Sequence, residues 1–456
     1  MKLKVSDVYN ALNEKMKCEN DKLIAGVSID SRTIKEGEIY FAIKGETHDG
    51  HEYVADVFKR GAYLAVCAKD KKTDMQDIPD SDDKIIFVES TTKALGDLAS
   101  YYRDLFHIPF ISVTGSTGKT TTKELINAAL SVKYVTCATK GNHNNQTGVP
   151  NTLFTLTDEC GASVIEMGMN HLHEISYLSR MVKPYIAVIT NIGTSHIGKL
   201  GSRENIFKAK KEVLEYIQNG YAVVNGDDDL LSQLQDGENY KVIKVGIYAE
   251  DLDIRATNLV SSEINTYGFN ALGTGFSLSI QGEHNVYNAL SAIAVAKLLD
   301  LDMQKVSCAL KDQKNQKMRM DISVVKSMTV INDAYNANYD SMKASFDVFR
   351  KYSQRKVAIL GDMLELGSYE QEMHEKAGEY AASCKTDVLV LIGNNASYYR
   401  TGAIKGGMPG KYIFTFKDME DAKKVILGII KENDVILIKG SRGAQMENIL
   451  KVIEGK

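Results

Sequence analysis

This sequence predicts an α/β protein of three domains, and three observations carry the prediction. The chain has 456 residues, enough for about three domains of ordinary size. Short apolar runs alternate with helical patterns along most of it, as in mostly parallel sheets with right-handed crossovers. One of those runs, Phe110–Thr114, leads through Gly115-Ser116-Thr117-Gly118-Lys119-Thr120-Thr121 into a helix carrying Lys123, Ile126 and Leu130. Strand, glycine loop and helix together make a phosphate cradle. Backbone N–H groups wrap the anion, and the helix N-terminus favours negative charge. In that role Lys119 reaches the outer phosphates and the Thr120 hydroxyl sits on Mg²⁺. The usual pattern has an earlier first glycine, where this chain has Val113; Gly115 comes first instead, so the loop is a shortened variant.

Composition excludes several classes. A net charge of −4 leaves no electrostatic footprint for nucleic acid. No apolar run reaches the ~18 residues a membrane span needs. The start, Met1-Lys2-Leu3-Lys4, lacks the apolar core of a signal peptide. The six cysteines (Cys18, Cys67, Cys137, Cys160, Cys308, Cys384) show no metal spacing and read as reduced core thiols. We therefore expect a cytoplasmic protein with no nucleic-acid or membrane partner, and a monomer.

Residues 1–105 read as a small α/β unit, with a helix over Val5–Leu12 and strands at Ile39–Ile43, Leu64–Cys67 and Ile85–Val88. Two polar loops stand out, one holding Ser28, Asp30, Ser31 and Arg32, the other Asp49 and His51. Hydroxyls beside an arginine suit a phosphate or a sugar, and they suit solvated turns equally.

Residues 106–315 read as a central, mostly parallel sheet. Strands fall at Phe110–Thr114, Tyr134–Cys137, Ser163–Met167, Ile186–Asn191 and Tyr221–Asn225. Ligands in such sheets sit beyond the carboxyl ends of the strands. Glu166, Asn191 with His196, and the run Asp227-Asp228-Asp229 all fall there. Glu166 beside a phosphate loop suits Mg²⁺, and His196 is a candidate second ligand. The aspartate run reads as a solvated turn. The loop Thr139–Pro150, with Asn142, Asn144 and Asn145, suits the grip of a polar ligand. On a helix over Asn205–Tyr216, Lys210 falls in the middle of the apolar face of Ile206, Phe207, Val213 and Leu214, with Lys208, Lys211, Glu212 and Glu215 opposite. A buried lysine loses its proton easily, and a neutral amine takes up CO₂ as a carbamate; the alternative is a lysine that snorkels to the helix edge. Short strands of a hairpin insertion follow over Leu252–Ile280. Asn285 and Asn288 then open an apolar helix reaching Leu299, as purine-reading amides or as simple caps.

Residues 316–456 read as a second, Rossmann-like α/β unit with strands at Val330–Asn332, Val357–Leu360, Val388–Ile392 and Val435–Ile438. Polar groups again follow the strands: Asp333, Tyr335, Asn336 and Asn338; Asp362; Ser441 and Arg442. Two doubly wound units facing each other give a cleft where two substrates meet.

Taken together, these loops resemble the Mur ligase family, the ATP-dependent amide ligases of peptidoglycan assembly, along essentially the whole chain. The motifs are Thr114–Thr120, Thr139–Pro150, Glu166 in Glu-Met-Gly, Thr190–His196, Lys210 in Ala-Lys-x-Glu and His284–Asn288. Asn332–Asn338, Gly361–Gly367 and Lys439–Arg442 resemble the type that adds D-alanyl-D-alanine to UDP-N-acetylmuramoyl-tripeptide. Four positions depart from the family: Tyr339 replaces a usual proline, Met318 stands where glycine often precedes the arginine, and Met169 and His173 replace a usual alanine and glycine.

The resemblance implies a ligase that makes an acyl phosphate from ATP and the tripeptide carboxylate, then an amide with D-alanyl-D-alanine. It implies a first domain that binds the UDP-sugar through Ser28, Ser31, Arg32, Asp49 and His51. It implies nucleotide contacts from Thr114 to Thr121 and from Asn285, Asn288, Arg319 and Asp333. It implies substrate contacts from Asn142, Asn144, Asn145, Tyr335, Asn336, Asn338, Ser441 and Arg442. Two Mg²⁺ are expected, one on Thr120 and Glu166, the other on His196 and a carbamylated Lys210. Lys119, Glu166, His196 and Lys210 would carry the chemistry. The alternatives are a Mur-type ligase for another amino acid, which Tyr335–Asn338 argues against, or a nucleoside triphosphatase acting on a protein.

Overall fold

The structure, a computed structural model, describes residues 1–16, 21–78, 81–262 and 266–455. Three sheets rich in parallel strands follow one another along the chain, with a small antiparallel sheet between the second and third.

The first sheet is four parallel strands in sequence order: β1 (Gly26–Ser28), β2 (Glu38–Phe41), β3 (Leu64–Ala68) and β4 (Ile85–Val88). The helix Thr91–Asp104 leads out of it. Tyr102 on that helix is fully buried and donates to the Leu156 carbonyl at 2.7 Å, tying the first unit to the second.

The central sheet has seven parallel strands: β5 (Phe110–Thr114), β6 (Thr136–Ala138), β7 (Ala162–Glu166), β8 (Ile186–Ile189), β9 (Gly220–Asn225), β10 (Tyr240–Gly246) and β11 (Ile254–Arg255). Their order is β11-β10-β9-β8-β5-β7-β6, so β5 lies between β7 and β8. Both faces are covered, which is why these strands read as continuous apolar runs. Ile111, Val113, Val164 and Val188 pack on one side, and Phe110, Ile165, Ala187 and Ile189 on the other. The helix Lys119–Leu130 and the helix His284–Leu298, apolar mainly in its second half, pack together on the first of these faces.

The hairpin insertion forms β12 (Thr257–Ser261), β13 (Thr266–Ala271) and β14 (Thr274–Gln281), antiparallel. The last sheet runs β15-β16-β20-β17-β18-β19. Its strands are β15 (Asp321–Val325), β16 (Met328–Asp333), β17 (Lys356–Gly361), β18 (Val388–Ile392), β19 (Ile413–Phe416) and β20 (Val435–Lys439). All pair in parallel except β15, an antiparallel edge.

The sequence pattern missed β1, β10, β11, β15 and β19. Most lie at sheet edges, where one-sided burial dilutes the apolar run; β10 shows mainly half-buried residues. The thiol expectation is also corrected. Cys137 and Cys160 are joined as a disulfide between β6 and the turn before β7, with Cα atoms 6.2 Å apart. Adjacent parallel pairing of β6 and β7 makes neighbours of residues 23 apart in sequence. Cys67 and Cys384 are free and buried, Cys308 is free but exposed, and Cys18 lies outside the described residues. Among the described residues no helix is long and apolar enough to cross a membrane.

Candidate active site

A cleft of about 940 Å³ opens where the carboxyl ends of the central strands face the last sheet. Its floor is the phosphate loop. Gly115 has φ +146° and Gly118 has φ +78°. A Cβ at Gly115 would strike Thr190 Oγ1, and one at Gly118 would lie 2.7 Å from Asn288 Oδ1. Both positions therefore demand glycine, for conformation and for space. The end of β8 braces the loop. Thr117 N and Oγ1 donate to Asn191 Oδ1 at 3.0 and 3.1 Å, and Thr190 Oγ1 donates to the Thr117 carbonyl at 2.6 Å. Lys119 folds back on its own loop and donates to the Gly115 carbonyl at 2.8 Å. Burial lowers its pKa, while nearby Glu166 acts the other way.

Glu166 closes β7 and is 2 % exposed. Asn144 Nδ2 donates to its Oε1 at 2.8 Å, and its Oε2 is buried with no hydrogen-bond partner among the described residues. An orphaned buried carboxylate oxygen beside a phosphate loop fits a hard divalent cation, with Thr120 at the helix start as second donor. Among the described residues no group of three acidic, histidine or cysteine side chains could hold a metal. Substrate oxygens would have to complete the shell, as Mg²⁺ sites commonly require.

Lys210 lies at the C-terminal end of the helix Arg203–Lys211 and is 1 % exposed. It does not snorkel. Its Nζ donates to the Gly115 carbonyl at 2.9 Å. Burial, and then Lys119, hold its pKa well below the ordinary lysine value. His196 sits nearby in the left-handed conformation (φ 63°), with Nδ1 at 2.8 Å from Glu365 Oε2. Burial lowers its pKa first, with Lys119 and Lys210 in support and Glu365 opposing.

The far wall belongs to the last sheet. The Arg319 guanidinium lies 3.8 Å from the Tyr335 ring centroid, a stacked cation on an aromatic face. Asp333 is fully engaged: it accepts from Lys439 Nζ at 2.5 Å, Ser345 Oγ at 2.6 Å and Met320 N at 3.0 Å. Asn338 caps the helix Tyr339–Phe349 with a reciprocal Ser341 box, and Asn336 turns its side chain onto Ala337 N.

Several expectations change. The run 227–229 is not a solvated turn. Asp227 accepts from Ile247 N, Tyr248 N, Ala249 N and Tyr287 Oη. Asp228 accepts from Ile192 N at 2.8 Å, and Asp229 pairs with Arg203. Glu212 is buried rather than on the wet face; its carboxylate caps the helix Glu174–Val182 through His173 N and Ser176 N. Asn145 caps the helix Gly148–Leu153 through Gly148 N. Asn285 donates to the Gln281 carbonyl, and Asn288 accepts from Thr122 Oγ1, so these amides build the wall. Ser441 is buried between Leu364 N and the Ala337 carbonyl, Arg442 pairs with Glu447 at the surface, and neither lines the cleft. Lys210 and Gly115 lie just behind the lining, as does Thr114. The first-unit residues Ser28, Ser31, Arg32, Asp49 and His51 are also outside it. There, Arg32 is clasped by Asp30, and the His51 ring bridges Asp49 and Ala68 N. Sequence reasoning did not single out Arg203, which reads locally as an ordinary helix residue; only the fold turns it into the cleft.

Family models match along the chain: "Mur ligase family, catalytic domain" over 23–103, "Mur ligase middle domain" over 113–296, and "Mur ligase, glutamate ligase domain" over 318–442. The UDP-N-acetylmuramoyl-tripeptide--D-alanyl-D-alanine ligase of Bacillus subtilis is 34% identical over 94% of this chain and 93% of its own length. The chain belongs to the Mur ligase family. The Escherichia coli protein of the same name is 31% identical over 95% of this Mur ligase and 94% of its own length. A crystal structure of MurF from Acinetobacter baumannii, 30% identical, superposes with a TM-score of 0.91 over 100% of this chain and 99% of that one. MurF ligase from Thermotoga maritima in complex with ADP is 26% identical, with a TM-score of 0.82 over 94% and 97%. This Mur ligase is thus a set of three α/β units and, as a member of that family, a ligase that forms carbon–nitrogen bonds.

Proposed function

We propose that this Mur ligase adds D-alanyl-D-alanine to UDP-N-acetylmuramoyl-tripeptide, converting ATP to ADP and phosphate, and so completes the pentapeptide precursor of peptidoglycan. One observation carries the reading: a phosphate loop, an unpartnered buried oxygen on Glu166 and the Asp333–Asn338 segment share one cleft. The full-length match to ligases of that name supports the same substrates.

In this reading residues 1–105 hold the UDP-sugar, 106–315 hold ATP, and 316–456 hold the dipeptide. The tripeptide carboxylate attacks the γ-phosphorus, and ADP leaves. The dipeptide amine then attacks the acyl carbon, loses a proton and expels phosphate. Catalysis is mostly positioning and charge neutralisation. Lys119 swings from the Gly115 carbonyl to the transferring phosphoryl group. Thr120 and Glu166 would hold one Mg²⁺, and His196 and Lys210 the other; such ions would neutralise charge on phosphate and carboxylate oxygens. Neutral His196 leaves a ring nitrogen free to donate electrons. Arg319, stacked on Tyr335, faces the nucleotide, while Asn285, Asn288 and Asp333 hold the walls around it. Tyr335 and Asn336 face the dipeptide, while Asn338, its amide spent on Ser341 N and Ser195 Oγ, holds the segment in place. We also place a carbamate on Lys210, on residue chemistry alone: burial gives the neutral amine that CO₂ needs. Since every group named lies on one chain, a monomer suffices. The substrates are cytoplasmic metabolites, so the enzyme works there.

A dropout assay tests the function. ADP release should require both the UDP-muramoyl tripeptide and D-alanyl-D-alanine. Release that is unchanged when either is omitted rejects the ligase reading. Lysine- and diaminopimelate-containing acceptors, run side by side, give the preference.

A further inference from the structure

Three consecutive residues of the central unit each meet a group from the last unit. Thr194 donates twice to Asp340 Oδ2, from its N–H at 2.6 Å and its hydroxyl at 2.8 Å. Ser195 Oγ accepts from Asn338 Nδ2. His196 Nδ1 lies against Glu365 Oε2. On its other side the same segment grips the phosphate loop: Gly193 N donates to Ser116 Oγ at 2.9 Å, and Ser195 Oγ donates to the Ser116 carbonyl at 3.0 Å. The Ser195 hydroxyl therefore spends its proton on the loop and a lone pair on the last unit, a continuous path from Asn338 to Ser116.

Backbones meet here as well. A Cβ on Gly198 would lie 2.5 Å from the Glu365 carbonyl oxygen, the Leu366 carbonyl carbon and Gly367 N. Gly198 sits in the short helix Ile197–Leu200 without a positive φ, so alanine fits its local conformation. What alanine cannot accept is the docked last unit.

We propose that Asp340, Asn338 and Glu365 are positioning residues that latch the last unit onto 194–196. Through Ser195 they set the phosphate loop's backbone. Phosphoryl transfer is thereby tied to closure of the dipeptide side of the cleft. This rests on the ligase reading only for which reaction is coupled; the latch itself is a statement about domain docking. Polar contacts between a carboxylate and an N–H plus hydroxyl pair are the stronger kind, and losing them shifts a two-state closure toward the open form.

The test uses the full chain saturated with ADP and Mg²⁺, with small-angle scattering as one readout and steady-state kinetics as the other. Asp340→Ala and Gly198→Ala should each raise the radius of gyration. Each should lower kcat and raise KM for the dipeptide about tenfold or more, by the reduced closed fraction. UDP binding to the first unit should stay unchanged, which reports an intact fold. Asp340→Asn keeps an acceptor for Thr194 and should recover wild-type behaviour within about threefold. Wild-type scattering with wild-type kinetics in both variants overturns the latch. So does an inactive Asp340→Ala with wild-type scattering, which would make Asp340 a substrate-contacting group. If the dropout assay rejects the ligase while the scattering shifts persist, the latch stands and the reaction assignment falls.

Discussion

Asn144 Nδ2 holds one oxygen of Glu166 at 2.8 Å and leaves the other buried without a partner. An amide donor thus orients the carboxylate, which lines the same cleft as the phosphate loop. Glu166→Gln keeps size and removes charge. We expect kcat to fall on the order of 10²–10³-fold, as when one preorganised electrostatic contact is lost. The Mg²⁺ dependence of ADP affinity, measured by calorimetry, should weaken in the same variant. Unaltered Mg²⁺ dependence would remove Glu166 from the metal site.

Lys210 and Lys119 converge on the same carbonyl, that of Gly115. Two ammonium groups sharing one acceptor inside the protein repel each other, and burial adds to the penalty. A carbamate on Lys210 would turn that repulsion into attraction. With ¹³C-bicarbonate, wild-type protein should show a carbamate carbon resonance that Lys210→Ala lacks. Lys210→Ala should lose about 10²-fold or more in kcat, with recovery by short carboxylic acids. A resonance-free but active wild type leaves Lys210 as an amine.

Much of the site was legible because the chemistry sits in contiguous loops. Phe110–Thr121 declares strand, turn and helix in twelve consecutive residues, and the structure sets them out as read. Lys210 was legible because helical periodicity put a charge in an apolar stripe. Asp227 and Glu212 were misread for the opposite reason. Their partners are backbone N–H groups from segments 20 to 39 residues away, and no local pattern announces those. A composition of isolated thiols likewise could not show that β6 and β7 are neighbours.

Two family departures make a prediction. His173 has φ 72° and Met318 has φ 62°, and these are the positions where the resembling ligases usually carry glycine. At both positions a side chain occupies a conformation that glycine meets most cheaply. A non-glycine residue in the left-handed region costs about 1–2 kcal/mol, and glycine returns part of that as unfolded-state entropy. His173→Gly and Met318→Gly should each stabilise the protein by about 0.5–1 kcal/mol, read as a rise in the denaturant midpoint at constant slope. A fall in either midpoint would mean the side chain contributes more than the strain it carries.

The last prediction concerns acid. His374 is fully buried on the helix Glu370–Ser383. Its Nδ1 faces the Glu370 carbonyl at 2.6 Å and so must carry the proton; its Nε2 accepts from Met363 N at 3.0 Å and so must not. Only the neutral ring satisfies both. Burial lowers its pKa from the ordinary 6.5, with the Glu370 carbonyl and the Asp362 charge opposing. The unfolded chain then binds more protons than the folded one between the lowered value and about 6.5, so stability rises with pH across that window. The contribution is fully present above pH ~6.5 and is lost as pH falls through the folded-state pKa. Met363 begins the loop that carries Glu365 and Gly367, so protonation also loosens the edge of the cleft that meets His196 and Gly198. His374→Gln has no ring to protonate and should flatten part of the acid limb of a melting-temperature profile below pH ~6.5, while lowering stability at neutral pH by about 1–3 kcal/mol through imperfectly met hydrogen bonds. Parallel acid limbs in the two proteins would show that His374 does not titrate there.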